Sequence, residues 1–285
     1  MAVNNSLVKS QEKLGIAAYL SKDGVRNQIN KIVGGKDGQR LISAVVSAVN
    51  TNPALQECTN QSILSGALLG ESLKLSPSPI LGNYYLVPYK DNKTGTTVAQ
   101  FQMGYKGYIQ LAIRSGYYKK LNVLAIKEGE LVKFDPLNEE IEVNLIEDEE
   151  EREKAETIGY YATYTYLNGF KKSLYWSKKK MIAHAERYSA GYRKKSGHTF
   201  WEKDFDAMAY KTMLRQLISK WGIMSIDLTQ ALENDMAVIR EDGSKNFVDN
   251  DMVVEIEQPA PAIEEQPKEE QETEQPTDAQ AALFG

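Results

Sequence analysis

Within QFQMGYKGYIQLAIRSG, residues 100–116, Lys106, Gln110 and Arg114 recur at every fourth position. On a helix that spacing makes one polar stripe. DFDAMAYKTMLRQLISKWG, residues 204–222, repeats the spacing with Lys211 and Arg215. On KKKMIAHAERYS, residues 178–189, Lys180, His184 and Arg187 share one side of a helix. Lysine, arginine and amide side chains placed a turn apart donate hydrogen bonds and neutralise phosphates. They bring no nucleophile and no paired general acid and base. The chemistry they suit is sequence-independent binding of a repetitive polyanion.

Aromatic residues are interleaved with these cations. Eleven tyrosines occur between Tyr105 and Tyr192, within or beside basic stretches, and Trp201 stands near His198 and Lys203. Rings of this kind can stack on bases while the cations meet the phosphates. On strands, Tyr161, Tyr164 and Tyr166 suit cross-strand packing better than base stacking. Trp221 completes an apolar stripe with Leu214, Leu217 and Ile218 and is expected in the core. Lys106, Arg114, Lys211 and Arg215 have few carboxylates near them in sequence and are expected to face the polyanion.

The chain has no Gly-x-x-x-x-Gly-Lys-Ser/Thr loop and no Gly-x-Ser-x-Gly elbow. Asp204 and Asp206 are too isolated among basic residues for a nuclease metal site, and Asp204 suits a helix N-cap. One cysteine, Cys58, and two separated histidines, His184 and His198, make no structural zinc set. A polyanion-binding protein without catalytic site, metal or cofactor is expected.

The net charge of −5 hides a strong asymmetry. Residues 249–285 hold eleven acidic residues and one basic, a net of −10, so the rest of the chain carries +5. Residues 139–156 contain ten acidic and two basic residues, and residues 168–220 thirteen basic and four acidic. A basic face on an otherwise acidic chain points to a polyanionic partner. No run of eighteen apolar residues occurs, the first residues are not expected to act as a secretory leader, and the lone cysteine suits a reducing cytoplasm.

Three regions must position these residues. Residues 1–36 are expected to be helical, a candidate subunit contact ending at the glycine-rich KIVGGKDG. Residues 37–245 form the core. It opens with the apolar-periodic QRLISAVVSAVNTNP and with TNQSILSGALLGESLKL, capped by Thr59 or Asn60. NYYLVPY and TVAQFQM then read as a hairpin, and TIGYYATYTYL and FKKSLYWS as a second one turning at Asn168-Gly169. YYKKLNVLAI, ELVKFD and EIEVNLI read as strands, and EDEEEREKAE as an exposed acidic loop. Ser177 and Asp204 open the last two helices. Adjacent strand pairs interleaved irregularly with helices give an α+β fold of antiparallel hairpins packed with helices. Residues 246–285, rich in proline and glutamate, are too polar to bury and are expected to be disordered.

QFQMGYKGYIQLAIRSGYY, YWSKKKMIAHAERYS and HTFWEKDFDAMAYKTMLRQLISKWG, with SPSPILGNYYLVPY ahead of them, resemble the ordered signature blocks of the phage RecT family of single-strand annealing proteins. The resemblance covers roughly residues 40–225. It implies the annealing fold shared more distantly with Red beta. It implies ATP-independent binding of single-stranded DNA, annealing of complementary strands, rings or helical filaments, and supply by a partner 5′-to-3′ exonuclease. Carried over by position, the DNA surface would comprise Gln102, Tyr105, Lys106 and Arg114. It would continue through Lys178, Lys180, His184 and Arg187 to Trp201, Lys211, Arg215 and Lys220. A passive single-strand binder that does not anneal is the alternative.

The final DAQAALFG ends an acidic segment on two large apolar residues. Gln280, Leu283 and Phe284 resemble the peptide by which bacterial proteins dock on the replication sliding clamp. The segment also resembles, more loosely, the acidic tails of single-strand binding proteins. A host clamp or single-strand binding protein is the partner expected there.

Overall fold

One helix organises the molecule because it is apolar on two sides. Helix α10 (Phe205–Trp221) sends Leu214 and Ile218 into one core and Ala209, Met213 and Leu217 into another. The computed structural model describes residues 14–91, 94–197, 199–240 and 243–247.

The first core begins with α1 (Ile16–Leu20), α2 (Asp23–Val33) and α3 (Gly35–Thr51). The glycine-rich break expected after residue 33 is one residue long. Gly34, at φ +91°, ends α2, and α3 starts at once. Leu20 and Ile29 are fully buried in the same core as Leu41 and Val45 of α3. A 3-10 turn (Pro53–Glu57) leads to α4 (Asn60–Ser72), whose N-cap is Thr59. Helix α4 packs against the hairpin β1 (Tyr84–Lys90) and β2 (Thr97–Met103), burying Tyr84, Phe101 and Met103. Later in the chain, α11 (Ile226–Asn234), β8 (Ala237–Ile239) and β9 (Lys245–Phe247) return to this hairpin, giving a four-stranded sheet in the order β1-β2-β8-β9.

The second core lies under a three-stranded antiparallel sheet. After α5 (Tyr105–Arg114) comes β3 (Tyr118–Lys127), then a two-stranded hairpin of β4 (Leu131–Asp135) and β5 (Glu140–Val143). Helix α6 (Glu149–Lys154) connects to β6 (Thr157–Tyr166) and β7 (Lys171–Ser177), and the sheet order is β3-β6-β7. Gly169, at φ +88°, closes the β6–β7 hairpin where the Asn-Gly pair predicts it. One face of the sheet, with Tyr160, Ala162 and Tyr164, packs on α7 (Lys178–Tyr188) and α10. Two short helices, α8 (Ala190–Arg193) and α9 (Phe200–Lys203), fill the connection between them.

The architecture is α+β, mixed helices and antiparallel sheets, as the sequence pattern predicts. Ser177 and Asp204 cap α7 and α10 as expected. Two local expectations fail. The acidic run is a helix and not a loop, because Asp148 caps it and Arg152 reaches inward to the wholly buried Glu130 at 2.6 Å. Trp221 is half exposed and not core: it falls at the last position of α10, where its ring is met by the Lys172 ammonium of β7 at 3.5 Å. Among the described residues no helix is long and apolar enough to cross a membrane.

Candidate nucleic-acid interface

The first turn of α5 is pressed against the loop before β1. A Cβ on Gly104 would sit on the Gly82 carbonyl oxygen, and one on Gly107 on the Asn83 carbonyl oxygen. Glycine at both positions therefore permits the approach. It brings the exposed Lys106 beside Tyr85: a point next to Gly82 lies 3.0 Å from the Tyr85 hydroxyl and 3.3 Å from Lys106 Cδ. Gln102 pairs with Tyr85 across β1 and β2, so both project from the face of the sheet opposite the buried Tyr84 and Met103.

From here a band of aromatic rings crosses to the second layer. Tyr85 meets Phe200 of α9 at 5.8 Å between centroids, and Tyr105 meets Tyr210 of α10 edge-on at 5.6 Å. Tyr210 leads to Tyr160 and then Phe205, and Phe205 meets Trp201 at 5.1 Å. Trp201 also meets His184 of α7 at 6.4 Å, and His184 meets Trp176 at 5.4 Å. Cations lie along the far end. Lys180 Nζ sits 4.5 Å from the Trp176 ring centre, and the Arg187 guanidinium 5.2 Å from that of Tyr188. Phe200, Tyr85 and Tyr105 keep part of their surface exposed, whereas Trp201 and Tyr160 are buried and support them.

His184 is held neutral. Burial, then the positive charges of Arg187, Arg215 and Lys180, push its pKa down to about 4. At neutral pH it acts as a flat ring between two indoles, not as a cation. Thr199 and Glu202 lock the start of α9 in a reciprocal capping box, which fixes Phe200 and Trp201. Backbone and side-chain hydrogen bonds from Gly197 and Thr199 hold the Glu202 carboxyl down at about 2.

The structure thus brings together Gln102, Tyr105, Lys106, Lys180, His184, Arg187 and Trp201. Lys178 starts the same helix but pairs with Glu156 at 3.0 Å. Four expected contacts lie elsewhere. Arg114 donates to the carbonyls of Leu73 and Lys74 and lies 3.6 Å from Asp227. Lys220 is exposed at the far end of α10, about 22 Å along the helix from Phe205. Lys211 and Arg215, expected on an exposed stripe without carboxylates, are buried on Asp235.

Asp235 is the buried partner of these cations that sequence spacing missed. Its carboxylate accepts from Lys211 Nζ at 2.9 Å, Arg215 Nη1 at 2.7 Å, the Tyr108 hydroxyl at 3.0 Å and the Met103 backbone N–H at 2.9 Å. Burial alone would raise its pKa, but the two cations and these hydrogen bonds hold it below the usual carboxylate value. The cluster ties β2, α5, α10 and the entry to β8 at one point, between the two layers that the band spans. The rings of Tyr85, Phe200, Phe205 and Tyr210 were also missed. All four lie inside the signature stretches, and their flanking aromatics were the available signal. The described part of the tail ends at Phe247, so Gln280, Leu283 and Phe284 lie outside the described residues, as does His198.

A model of the family described as "RecT family" matches residues 39–250. The Bacillus subtilis (strain 168) protein named "Uncharacterized protein YqaK" is 35% identical over 283 residues, covering 97% of this chain and 90% of that protein. Escherichia coli (strain K12) "Protein RecT" is 29% identical over 200 residues, covering 69% of this chain and 71% of its own length. The matched region runs from α3 through β9 and takes in every residue of the band and the Asp235 cluster, and on that extent the chain belongs to the RecT family, a membership that supports a role in recombination by single-strand annealing.

Proposed function

We propose that this protein binds single-stranded DNA along the aromatic band and anneals it to a complementary strand without nucleotide hydrolysis. The observation that supports this reading best is the convergence of Tyr85, Tyr105 and Phe200 with Lys106, Lys180 and Arg187, from segments far apart in sequence. The cations meet phosphates, the half-exposed rings meet base faces, and neither reads sequence. Complementarity is then reported by base pairing itself, whose stacking supplies about 1.4 kcal/mol per step and needs no ATP. Lys106, Lys180 and Arg187 lower the repulsion between the two phosphate chains during that search.

In recombination the substrate is a single strand exposed by a 5′-to-3′ exonuclease, and the protein coats it as a ring or helical filament of identical subunits. Gln280, Leu283 and Phe284 serve as a tethered peptide for the host clamp or single-strand binding protein. Annealing of complementary oligonucleotides at fixed salt without nucleotide, run beside a nuclease-protection assay, tests the reading. Annealing well above the protein-free rate supports it. Protection without acceleration would leave a passive single-strand binder.

A further inference from the structure

Large apolar side chains crowd one end of the three-stranded sheet. Past the end of β6, Leu167 is 70% exposed and Phe170 is exposed beside it. The Leu167 backbone N–H donates to the carbonyl of Tyr117, another exposed ring, at 3.1 Å. The end of α10 arrives at the same place, where the Tyr164 hydroxyl donates to the Trp221 carbonyl and the Ile223 N–H donates to the Tyr166 hydroxyl. Trp221 and Ile223 are exposed, and Ile226, three residues on, is 86% exposed. A concentration of exposed large apolar side chains at one end of a sheet marks a protein contact. Lys119, Lys171 and Lys220 are exposed around it and make its rim basic, whereas Lys172, 3.5 Å from the Trp221 ring centre, is already paired with Glu139 at 2.5 Å.

The opposite end of the same sheet is acidic and rigid. Strand β6 starts directly after α6, whose Glu149, Glu150, Glu151 and Glu153 point to solvent. Arg152 anchors that helix through Glu130 at 2.6 Å and the Ala125 carbonyl at 2.8 Å. Leu145, half exposed, adds an apolar element beside it. The ten residues of β6 separate the two ends by about 33 Å.

We infer that a second copy of this chain covers the apolar end, laying its own α6 face against it, so that copies add head to tail along the strand direction. Charge complementarity selects this occupant: the basic rim on one copy meets the acidic helix of the next. A contact between two different surfaces propagates into a ring or an open filament, whereas a self-complementary patch would stop at a dimer. The inference supplies surfaces for the self-assembly named above and rests on that part of the proposed function, not on the DNA band.

The test uses full-length protein and measures mass by light scattering, with and without a single-stranded oligonucleotide. The variants are Leu167→Asp with Ile226→Asp at the apolar end, and Glu150→Lys with Glu153→Lys on α6. All four positions are exposed, and thermal melting checks that each variant remains folded. Each pair is expected to raise the concentration for half-assembly at least tenfold. A one-to-one mixture of the two variants is expected to stop at a dimer, since each keeps one intact surface. Apolar-end variants that assemble like wild type would overturn the inference. So would α6 variants that assemble normally, or a wild type that is monomeric in both conditions. Binding of a short labelled oligonucleotide by the same variants separates this outcome from failure of the DNA reading, because none of the substituted residues lies on the band.

Discussion

The Lys211 ammonium lies 2.9 Å from Asp235 Oδ1, with both side chains buried, in a helix stripe whose spacing predicts an exposed cation. Arg215 occupies the other oxygen of the same carboxylate at 2.7 Å. Two cations therefore share one buried anion. This joint sets how the layer of β1 and β2 meets the layer of β3, β6 and β7, and so sets the span of the band between them.

Removing the anion should cost more than removing either cation. Asp235→Ala leaves two neighbouring buried positive charges unpaired and is expected to destabilise the fold by about 3–5 kcal/mol. Lys211→Met keeps the Arg215–Asp235 pair and should cost no more than about half of that. Urea denaturation followed by circular dichroism measures both. Equal losses for the two variants would mean that Asp235 does not hold the cluster together.

Contacts on the band should be visible in the salt dependence of binding. Each phosphate contact on single-stranded DNA contributes about 0.7 to the slope of log K against log salt. Lys106→Ala and Lys180→Ala are each expected to flatten the slope by about that amount across all sequences, measured by fluorescence anisotropy. Lys220→Ala, at the far end of α10, should leave the slope unchanged. Phe200→Ala should weaken binding by about 1–3 kcal/mol through lost stacking while keeping the wild-type slope.

His184 gives a pH signature. Its folded pKa of about 4 lies below the ordinary 6.5, so the unfolded chain takes up a proton first as pH falls. The neutral ring's contribution to stability is complete above pH 6.5 and is lost progressively between 6.5 and about 4. Denaturation midpoints across that window should fall with pH for the wild type and fall less for His184→Phe. With His198→Asn as background, one imidazole remains, and its NMR titration should centre near 4. A midpoint near 6.5 would place the ring in water.

The close approach of α5 to the loop before β1 makes Gly104 sensitive. Gly104→Ala puts a methyl group on the Gly82 carbonyl and is expected to cost about 3 kcal/mol through overpacking. The same change should also weaken DNA binding, since Lys106 would lose its place beside Tyr85. An unaltered melting temperature would show that the loop yields.

Much of this was legible from local pattern. The hairpin at Asn168-Gly169, the caps Ser177 and Asp204, a cap at Thr59 or Asn60, and the helix from Tyr105 follow from chemistry within a few residues; the structure has them, with Thr59 as the cap of the pair. What periodicity could not show was which polar stripe faces water. Lys106 and Lys211 look alike in sequence, yet one is exposed and the other meets a carboxylate 24 residues away. A helix packed on two sides hides its polar residues between two cores, and only tertiary contacts reveal that. Trp221 failed for the converse reason: its spacing continues the core stripe, but at the last position of α10 its ring meets the Lys172 ammonium and water in place of apolar side chains. The acidic run looked like a loop because its anchor, Arg152 on Glu130, is a pairing between segments.

The most direct measurement of the central claim is photochemical crosslinking of the full-length protein to an oligonucleotide carrying 4-thiothymidine, with the modified peptides read by mass spectrometry. The band predicts crosslinks at Tyr85, Tyr105 and Phe200, lost when Lys106→Ala and Lys180→Ala are combined. Crosslinks concentrated instead at Tyr117, Phe170 or Trp221 would place the DNA at the other end of the sheet and contradict the account.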